Sequence, residues 1–87
     1  MPYIKQTERK KFDPTIKALI SELKKSDFNE GNLNYIMSKM INAAFDARPS
    51  YANINKVMGV LNCVQHEFYR RKAVAYEEVK IKENGDI

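Results

Sequence analysis

Residues 51–84 read YANINKVMGVLNCVQHEFYRRKAVAYEEVKIKEN, and they lie in the longest proline-free part of the chain. Apolar residues recur there at steps of three and four, which on a period of about 3.6 residues places them on one face of a helix. This apolar stripe consists of Ile54, Val57, Met58, Leu61, Val64 and Phe68. The spacing predicts a long last helix over residues 51–80, with the apolar stripe in the core.

A second row of side chains follows the same helical spacing, about a third of a turn from the apolar stripe. This polar row contains Asn55, Gly59, Asn62, His66 and Tyr69, with Arg70 at its edge. Asn and His are mediocre helix formers, so their repeated use inside a helix indicates a gain elsewhere. Two gains stay open: contact with a ligand, and polar contact between subunits, where Gly59 would permit close approach of two helices.

The predicted length of this helix bears on oligomeric state. If it persists to near Lys82, its ~30 residues at about 1.5 Å each give roughly 45 Å, more than the ~30 Å diameter of a small domain. At 87 residues, a single core contributes only a few kcal/mol, and oligomerisation is a common remedy. We therefore expect a homo-oligomer.

Two shorter helices are predicted before the long one. Asp13 followed by Pro14 is typical of a helix start, because Asp can accept from the first free N–H groups and proline is tolerated in the first turn. The first helix should span residues 14–25, and the second, after a loop rich in helix breakers, residues 30–46. The predicted caps of the second and third helices are Asn29 and Ser50.

The predicted fold class is all-α, a three-helix domain with a long C-terminal helix, assembled as a homo-oligomer. Alternation at a period of two is confined to Val79-Lys80-Ile81-Lys82, which could equally end the third helix. Residues 1–87 are expected to form one domain with an ordered head, 1–12, in which Tyr3-Ile4 is a potential strand, and a tail, 82–87. The shared core should contain Ile16, Leu19, Leu23, Leu33, Ile36, Met40, Leu61 and Phe68.

Composition excludes several classes of protein. The single cysteine, Cys63, cannot form an intrachain disulfide, and one thiol with one histidine does not make a zinc site. The first residues lack the apolar run of a signal peptide, and no apolar stretch approaches the ~20 residues that span a bilayer. We expect a soluble protein of a reducing cytosol, with no metal and no cofactor.

Positive charge is concentrated in two parts of the chain. The net charge is +4, with seven Lys/Arg against three acids in residues 1–25 and five against one in residues 48–72. Anions are the class of partner that this distribution indicates. The competing interpretation is that the lysines serve solubility alone.

The run Tyr69-Arg70-Arg71-Lys72 suits a nucleotide. Guanidinium groups match phosphate in a forked, two-point fashion, and a tyrosine ring can stack on a base. Adjacent cations on a helix point in different directions, however, so at most one or two can reach a single ligand. Enzymatic motifs are missing, and although Cys63 and His66 could form a thiolate–imidazolium pair, a lone helical cysteine is more often a small apolar filler.

The second helix carries a polar line beside its apolar face. Asn34, Ser38 and Asn42 form this line, which matches the polar row of the third helix. Tyr35 lies on the far side of the helix from its apolar face. An exposed tyrosine marks an interface more often than a base-stacking platform, and both interpretations stay open.

Five segments carry a resemblance that covers nearly the whole length. They are Met1-Pro2-Tyr3-Ile4-Lys5, Leu33-Asn34-Tyr35, Tyr51-Ala52-Asn53-Ile54-Asn55, Glu67-Phe68-Tyr69-Arg70-Arg71 and Lys80-Ile81-Lys82-Glu83-Asn84-Gly85-Asp86. In these the chain resembles a family of small proteins common in phage and bacterial genomes. In size and helical character it also resembles the compact α-helical phage sponge proteins, which bind cyclic oligonucleotide or cyclic ADP-ribose signals and so silence the CBASS or Thoeris defences.

This resemblance implies an anti-defence protein that sequesters a cyclic nucleotide-type immune signal in the cytosol of an infected bacterium without cleaving it, and so is not an enzyme. Such a protein needs an oligomer, cations for phosphates, aromatic faces for bases and amides for their edges. The expected ligand-binding residues are Asn34, Tyr35, Asn55, Asn62, His66, Tyr69, Arg70 and Arg71. Two alternatives remain: a small oligomeric nucleic-acid-binding or adaptor protein, and a purely structural oligomer.

Overall fold

The computed structural model describes residues 4–87, which contain helices and turns and no strand. The predicted all-α class is therefore confirmed. Three helices precede the long last one: α1, Gln6–Arg9, α2, Asp13–Lys25, and α3, Glu30–Asp46. The last helix has 34 residues and consists of α4, Tyr51–Phe68, a π-helical segment, Tyr69–Ala73, and α5, Val74–Asn84.

The chain divides into two units at the junction between Ala47 and Arg48. The first unit holds α1, α2 and α3, and the second, which runs to Ile87, holds the long last helix. The single domain expected from the sequence stays a prediction. Tyr3 of the potential strand lies outside the described residues, and Ile4 has no regular secondary structure.

Two of the three predicted helix caps are confirmed. The side-chain oxygen of Asn29 accepts from the backbone N–H of Asn32 at 2.8 Å, and the hydroxyl of Ser50 accepts from that of Asn53 at 3.1 Å. Each bond satisfies an N–H that has no partner within its own helix.

The predicted cap at Asp13 is wrong. Phe12 occupies the capping position of α2 with helical backbone angles, φ −110° and ψ −30°, and its side chain makes no capping hydrogen bond. The chain reaches α2 directly from the turn after α1, where the Phe12 N–H donates to the Arg9 carbonyl at 3.0 Å. Asp13 is therefore the first helical residue, where its charge still favours the positive end of the helix dipole.

The end of α2 is fixed by the loop that leads to α3. Asp27 and Phe28 have positive φ angles of 55° and 52°, and the Phe28 N–H donates back to the Leu23 carbonyl at 3.0 Å. The Ser26 hydroxyl donates to that carbonyl at 3.1 Å and accepts from the Asn32 side chain at 2.7 Å. These bonds turn the chain within the first unit and supply partners for the last carbonyls of α2.

The predicted shared core is largely wrong for this chain by itself. Leu23 is the one apolar residue that is buried among residues 4–87, while Leu19, Ile36 and Leu61 are half-buried. The other predicted core residues are exposed: Ile16, Leu33, Met40 and Phe68. Helical spacing shows which face of a helix is apolar, but it does not show what covers that face. Among the described residues, none of the helices has the length and apolarity that crossing a bilayer requires.

The last helix is longer than predicted and is not α-helical throughout. It continues past residue 80 to Asn84 and stops at Gly85, whose φ of 88° lies in the left-handed region that glycine adopts readily. Residues 69–73 form a π-helix, in which the Val74 N–H donates to the carbonyl five residues back, that of Tyr69. The wider turn coincides with the basic run identified in the sequence.

Candidate ligand site at the π-helical segment

The π-helical segment changes which side chains share a face of the last helix. In a continuous α-helix, residues 69 and 77 would point about 80° apart, since eight steps of about 100° exceed two turns by that amount. The wider π turn removes most of this offset. The Tyr69 hydroxyl accordingly donates to the Glu77 carboxylate at 3.2 Å. The segment therefore aligns the start of α5 with the end of α4 on one side.

A shallow concavity of about 400 Å³ opens on this side of the helix. Three residues predicted to bind the ligand line it: His66, Tyr69 and Arg70. Gln65 and Val74 complete the lining. We call these five residues the π-segment site. It brings together an imidazole, an aromatic ring, a guanidinium group, an amide and an apolar floor.

Tyr69 is held by its hydroxyl and presents its ring. The hydrogen bond to Glu77 ties the ring to the next turns of the helix, while Tyr69 remains 54% exposed. Glu77, which accepts the hydroxyl hydrogen and places a negative charge beside it, raises the pKa of Tyr69 above its ordinary value. The phenol is thus neutral across the physiological range, and its ring is a fixed surface on which a flat group can stack.

Glu67 pairs with both arginines of the basic run. Its Oε1 accepts from Nη2 of Arg70 at 2.7 Å and from Nε of Arg71. The Glu67 side chain is 21% exposed, whereas the Arg70 side chain is 67% exposed. The three groups together carry a net charge of +1, from two cations and one anion. The bond to Glu67 orients the Arg70 side chain. A guanidinium group has five N–H donors, so most of those of Arg70 remain available to a ligand.

The remaining predicted residues of the last helix lie outside the lining of the concavity. Asn62 precedes His66 by four residues, one helical turn, and Asn55 lies a further two turns toward the start of α4. Arg71 is in the π-helical segment and pairs with Glu67, as Arg70 does. Unlike Arg70, it is not among the residues that line the concavity. Of the six ligand-binding residues predicted in the last helix, the concavity therefore brings together three, His66, Tyr69 and Arg70.

Asn34 and Tyr35 belong to α3, in the first unit, where each has a local partner. The Asn34 side-chain oxygen accepts from the Ser38 hydroxyl at 3.2 Å. The Lys39 ammonium lies 5.8 Å from the centre of the Tyr35 ring, within the range of a cation–π interaction. These contacts give α3 a polar, aromatic surface of its own.

Sequence reasoning missed three residues that shape the site. Glu67 could have been found, because an acid three and four residues before two arginines is the spacing of helical ion pairs. Gln65 could have been found as the residue one turn before Tyr69. Val74 could not have been predicted, because it lies on this side of the helix only as a result of the π-helical turn. That turn does not change the spacing of the apolar residues in α4, so the sequence pattern does not reveal it.

The arrangement is suited to holding a flat, anionic molecule. The Arg70 guanidinium can donate to two oxygens of a phosphate, the Tyr69 ring can stack on a base, and the Gln65 amide and His66 imidazole can bond to base or sugar edges. Pairing with Glu67 lowers the positive charge at Arg70 without removing it. The concavity is open on one side of a helix, so a bound ligand would retain solvent access.

Comparisons with known proteins place the chain in one family. A protein-family model described as Domain of unknown function (DUF6899) matches residues 1–87. No curated protein and no solved structure matches the chain.

Proposed function

This chain belongs to the DUF6899 family, and we propose that it is a binding protein that sequesters a cyclic nucleotide-type signal, releasing it intact rather than transforming it. The signal is of the cyclic oligonucleotide or cyclic ADP-ribose type, and the setting is bacteriophage evasion of host immunity in the bacterial cytosol. The observation that carries this proposal is the concavity in which Tyr69, Arg70 and His66 meet.

The geometry of Tyr69 and Arg70 supports a nucleotide over other anions. Both side chains are more than half exposed, and each is oriented by an acid, Glu77 or Glu67. A ring and a guanidinium group fixed beside one another match a base and its phosphate. Because these side chains are already oriented, ligand binding orders them at a smaller entropic cost.

The charge balance supports a phosphate that is part of an internal linkage. Glu67, Arg70 and Arg71 sum to +1, which matches the single negative charge that each phosphate of a phosphodiester or an internal pyrophosphate carries. A terminal phosphate carries nearly two charges at pH 7 and would bring its oxygens close to the Glu67 carboxylate. Cyclic signals contain internal linkages and lack such ends.

The first test is a binding panel of cyclic dinucleotides, cyclic trinucleotides and cyclic ADP-ribose isomers, followed by thermal shift. We expect at least one member to raise the unfolding temperature, because a ligand that binds the folded state alone stabilises it by mass action. The bound compound should be recovered chemically intact after the protein is denatured. A cleaved product would indicate an enzyme, and no response to any member would contradict the proposal.

The second test asks whether Arg70 makes a discrete contact. Arg70→Ala should weaken binding about 10- to 100-fold, because a hydrogen bond to a charged group contributes roughly 1.5–3 kcal/mol. Arg70→Lys, which keeps the charge and loses the fork, should weaken it less. Lys24→Ala, which removes an exposed cation of α2, is the matched control and should change affinity little.

Two outcomes would favour a nucleic-acid binder instead. One is equal weakening by Arg70→Ala and Lys24→Ala, which is expected of diffuse attraction to a polyanion. The other is preference for long strands together with a steep loss of affinity as salt rises, because such binding releases counterions from the phosphate backbone. A site for one small cyclic ligand should saturate at a fixed stoichiometry.

A further inference from the structure

The apolar stripe of α4 is exposed in the folded chain. Met58 is 54% exposed, Val64 53% and Phe68 64%, while Val57 and Leu61 are half-buried. Residues 48–87 contain one continuous helix, so this unit supplies no second element against which the stripe could pack. Burying such side chains stabilises a protein, because apolar surface is removed from water. Within its own unit, the stripe is therefore an apolar face without a covering element.

The charge of the second unit changes sign along its length. Residues 48–72 contain five Lys/Arg and one acid, for a net charge of +4. Residues 73–87 contain Lys80 and Lys82 against four acids, Glu77, Glu78, Glu83 and Asp86, for a net charge of −2. Two such helices laid antiparallel and fully overlapped bring residues 73–87 of each beside residues 48–62 of the other, where Arg48 and Lys56 give a net charge of +2. Laid parallel, they bring like charges together.

The most exposed residue of the stripe lies at the middle of the helix. The last helix spans residues 51–84, so its midpoint falls between Glu67 and Phe68. In a fully overlapped antiparallel pair, the two-fold axis passes through this point, and the two Phe68 rings meet there. A few well-packed residues near the centre of an interface contribute most of its binding energy.

From these three observations we propose that the apolar stripe binds a second copy of this chain, with the two long helices antiparallel and centred between Glu67 and Phe68. In this register position 58 of one copy lies opposite position 77 of the other, so Met58 comes within one residue of Tyr76 of the other copy. Tyr76 is 63% exposed. The proposal does not depend on the ligand site and stands or falls separately from it.

Cysteine cross-linking tests the orientation. The native thiol, Cys63, is exposed and is first replaced by Ser. In that background, Met58→Cys mixed with Tyr76→Cys should give a disulfide-linked heterodimer under mild oxidation, and Met58→Cys alone should give little homodimer. A parallel pair brings each position beside its own copy, so efficient homodimer formation by Met58→Cys alone would overturn the proposal. So would the absence of any cross-link.

Sedimentation tests the role of Phe68. The unmodified chain should sediment at twice its 10.1 kDa mass, whereas Phe68→Lys, which places two like charges at the axis, should shift it toward one mass. Tyr35→Lys is the matched control, because Tyr35 is an aromatic residue of nearly equal exposure, 63%, in the first unit. Circular dichroism confirms that each variant remains helical. An unmodified chain at 10.1 kDa, or an unchanged mass for Phe68→Lys, would contradict the proposal.

Discussion

At the scale of single residues, the ligand site depends on two acids that orient neighbouring side chains. Glu67 holds Arg70 by an ion pair of 2.7 Å, and Glu77 holds the Tyr69 hydroxyl at 3.2 Å. Exposed ion pairs contribute little to stability. Their value here is orientation, because each reduces the number of rotamers that a functional group samples before it meets a ligand.

The Tyr69–Glu77 bond predicts a measurable titration. Glu77 raises the pKa of Tyr69, so Glu77→Ala should return that pKa toward the ordinary value near 10. A pKa that is higher in the folded state contributes stability below about pH 10, and this contribution is lost as pH rises through the raised value.

NMR titration of the tyrosine rings from pH 8 to 12 would measure this shift, with Tyr69→Phe identifying the Tyr69 signal. Glu78→Ala is the matched control, because it removes a neighbouring acid of α5 that has no hydrogen bond to Tyr69. A Tyr69 midpoint that is the same in Glu77→Ala and in the unmodified chain would mean that the bond is not maintained in solution.

At the scale of helices, local sequence predicted most of the boundaries. The spacing of apolar residues and the caps at Asn29 and Ser50 predicted helices at 14–25, 30–46 and 51–80, and the structure has them at Asp13–Lys25, Glu30–Asp46 and 51–84. These signals act within a few residues of the chain, so a single sequence contains them. The short α1 was predicted only as a charged helical turn in the head of the chain.

The π-helical segment could not be predicted by the same reasoning. One wider turn does not disturb the spacing of the apolar stripe, which ends at Phe68, the residue before the segment begins. Its effect appears only in pairs that span it, such as Tyr69 with Glu77. Val74 was missed for this reason, while His66, Tyr69 and Arg70, which precede the segment or occupy its first two residues, were predicted as neighbours and line one concavity.

The confirmed caps predict a specific pattern of stability. Asn29→Ala and Ser50→Ala should each lower the free energy of unfolding by about 1 kcal/mol, because each leaves a first-turn N–H without its side-chain acceptor. Asp13→Ala is the control and should cost only a few tenths, since Asp13 makes a dipole interaction rather than a capping bond. Urea unfolding at one fixed protein concentration measures all three.

The cap assignment would be contradicted if Asp13→Ala destabilised the chain as much as Ser50→Ala. Equal losses would mean that α2 begins one residue later in solution, with Asp13 as its cap, as the sequence predicted. A loss for Ser50→Ala alone would support the start of α4 and leave Asn29 without its assigned role.

At the scale of the whole molecule, most apolar side chains of the last helix are exposed while its polar side holds an ordered site. The apolar stripe and the π-segment site follow adjacent faces of one helix. Sequence reasoning recognised both faces from their periodicity. It assigned the stripe to a core within the chain, because periodicity does not identify the surface that covers an apolar face.

We propose that one small anionic ligand binds at the π-helical segment. The most direct measurement is an amide NMR titration with the cyclic compound that gives the largest thermal shift in the binding panel. We expect shifts that saturate at one stoichiometry and concentrate on the five residues of the π-segment site, Gln65, His66, Tyr69, Arg70 and Val74, with no shift of the residues around Lys24. Shifts that do not saturate, or that spread evenly over the lysines of both units, would contradict it.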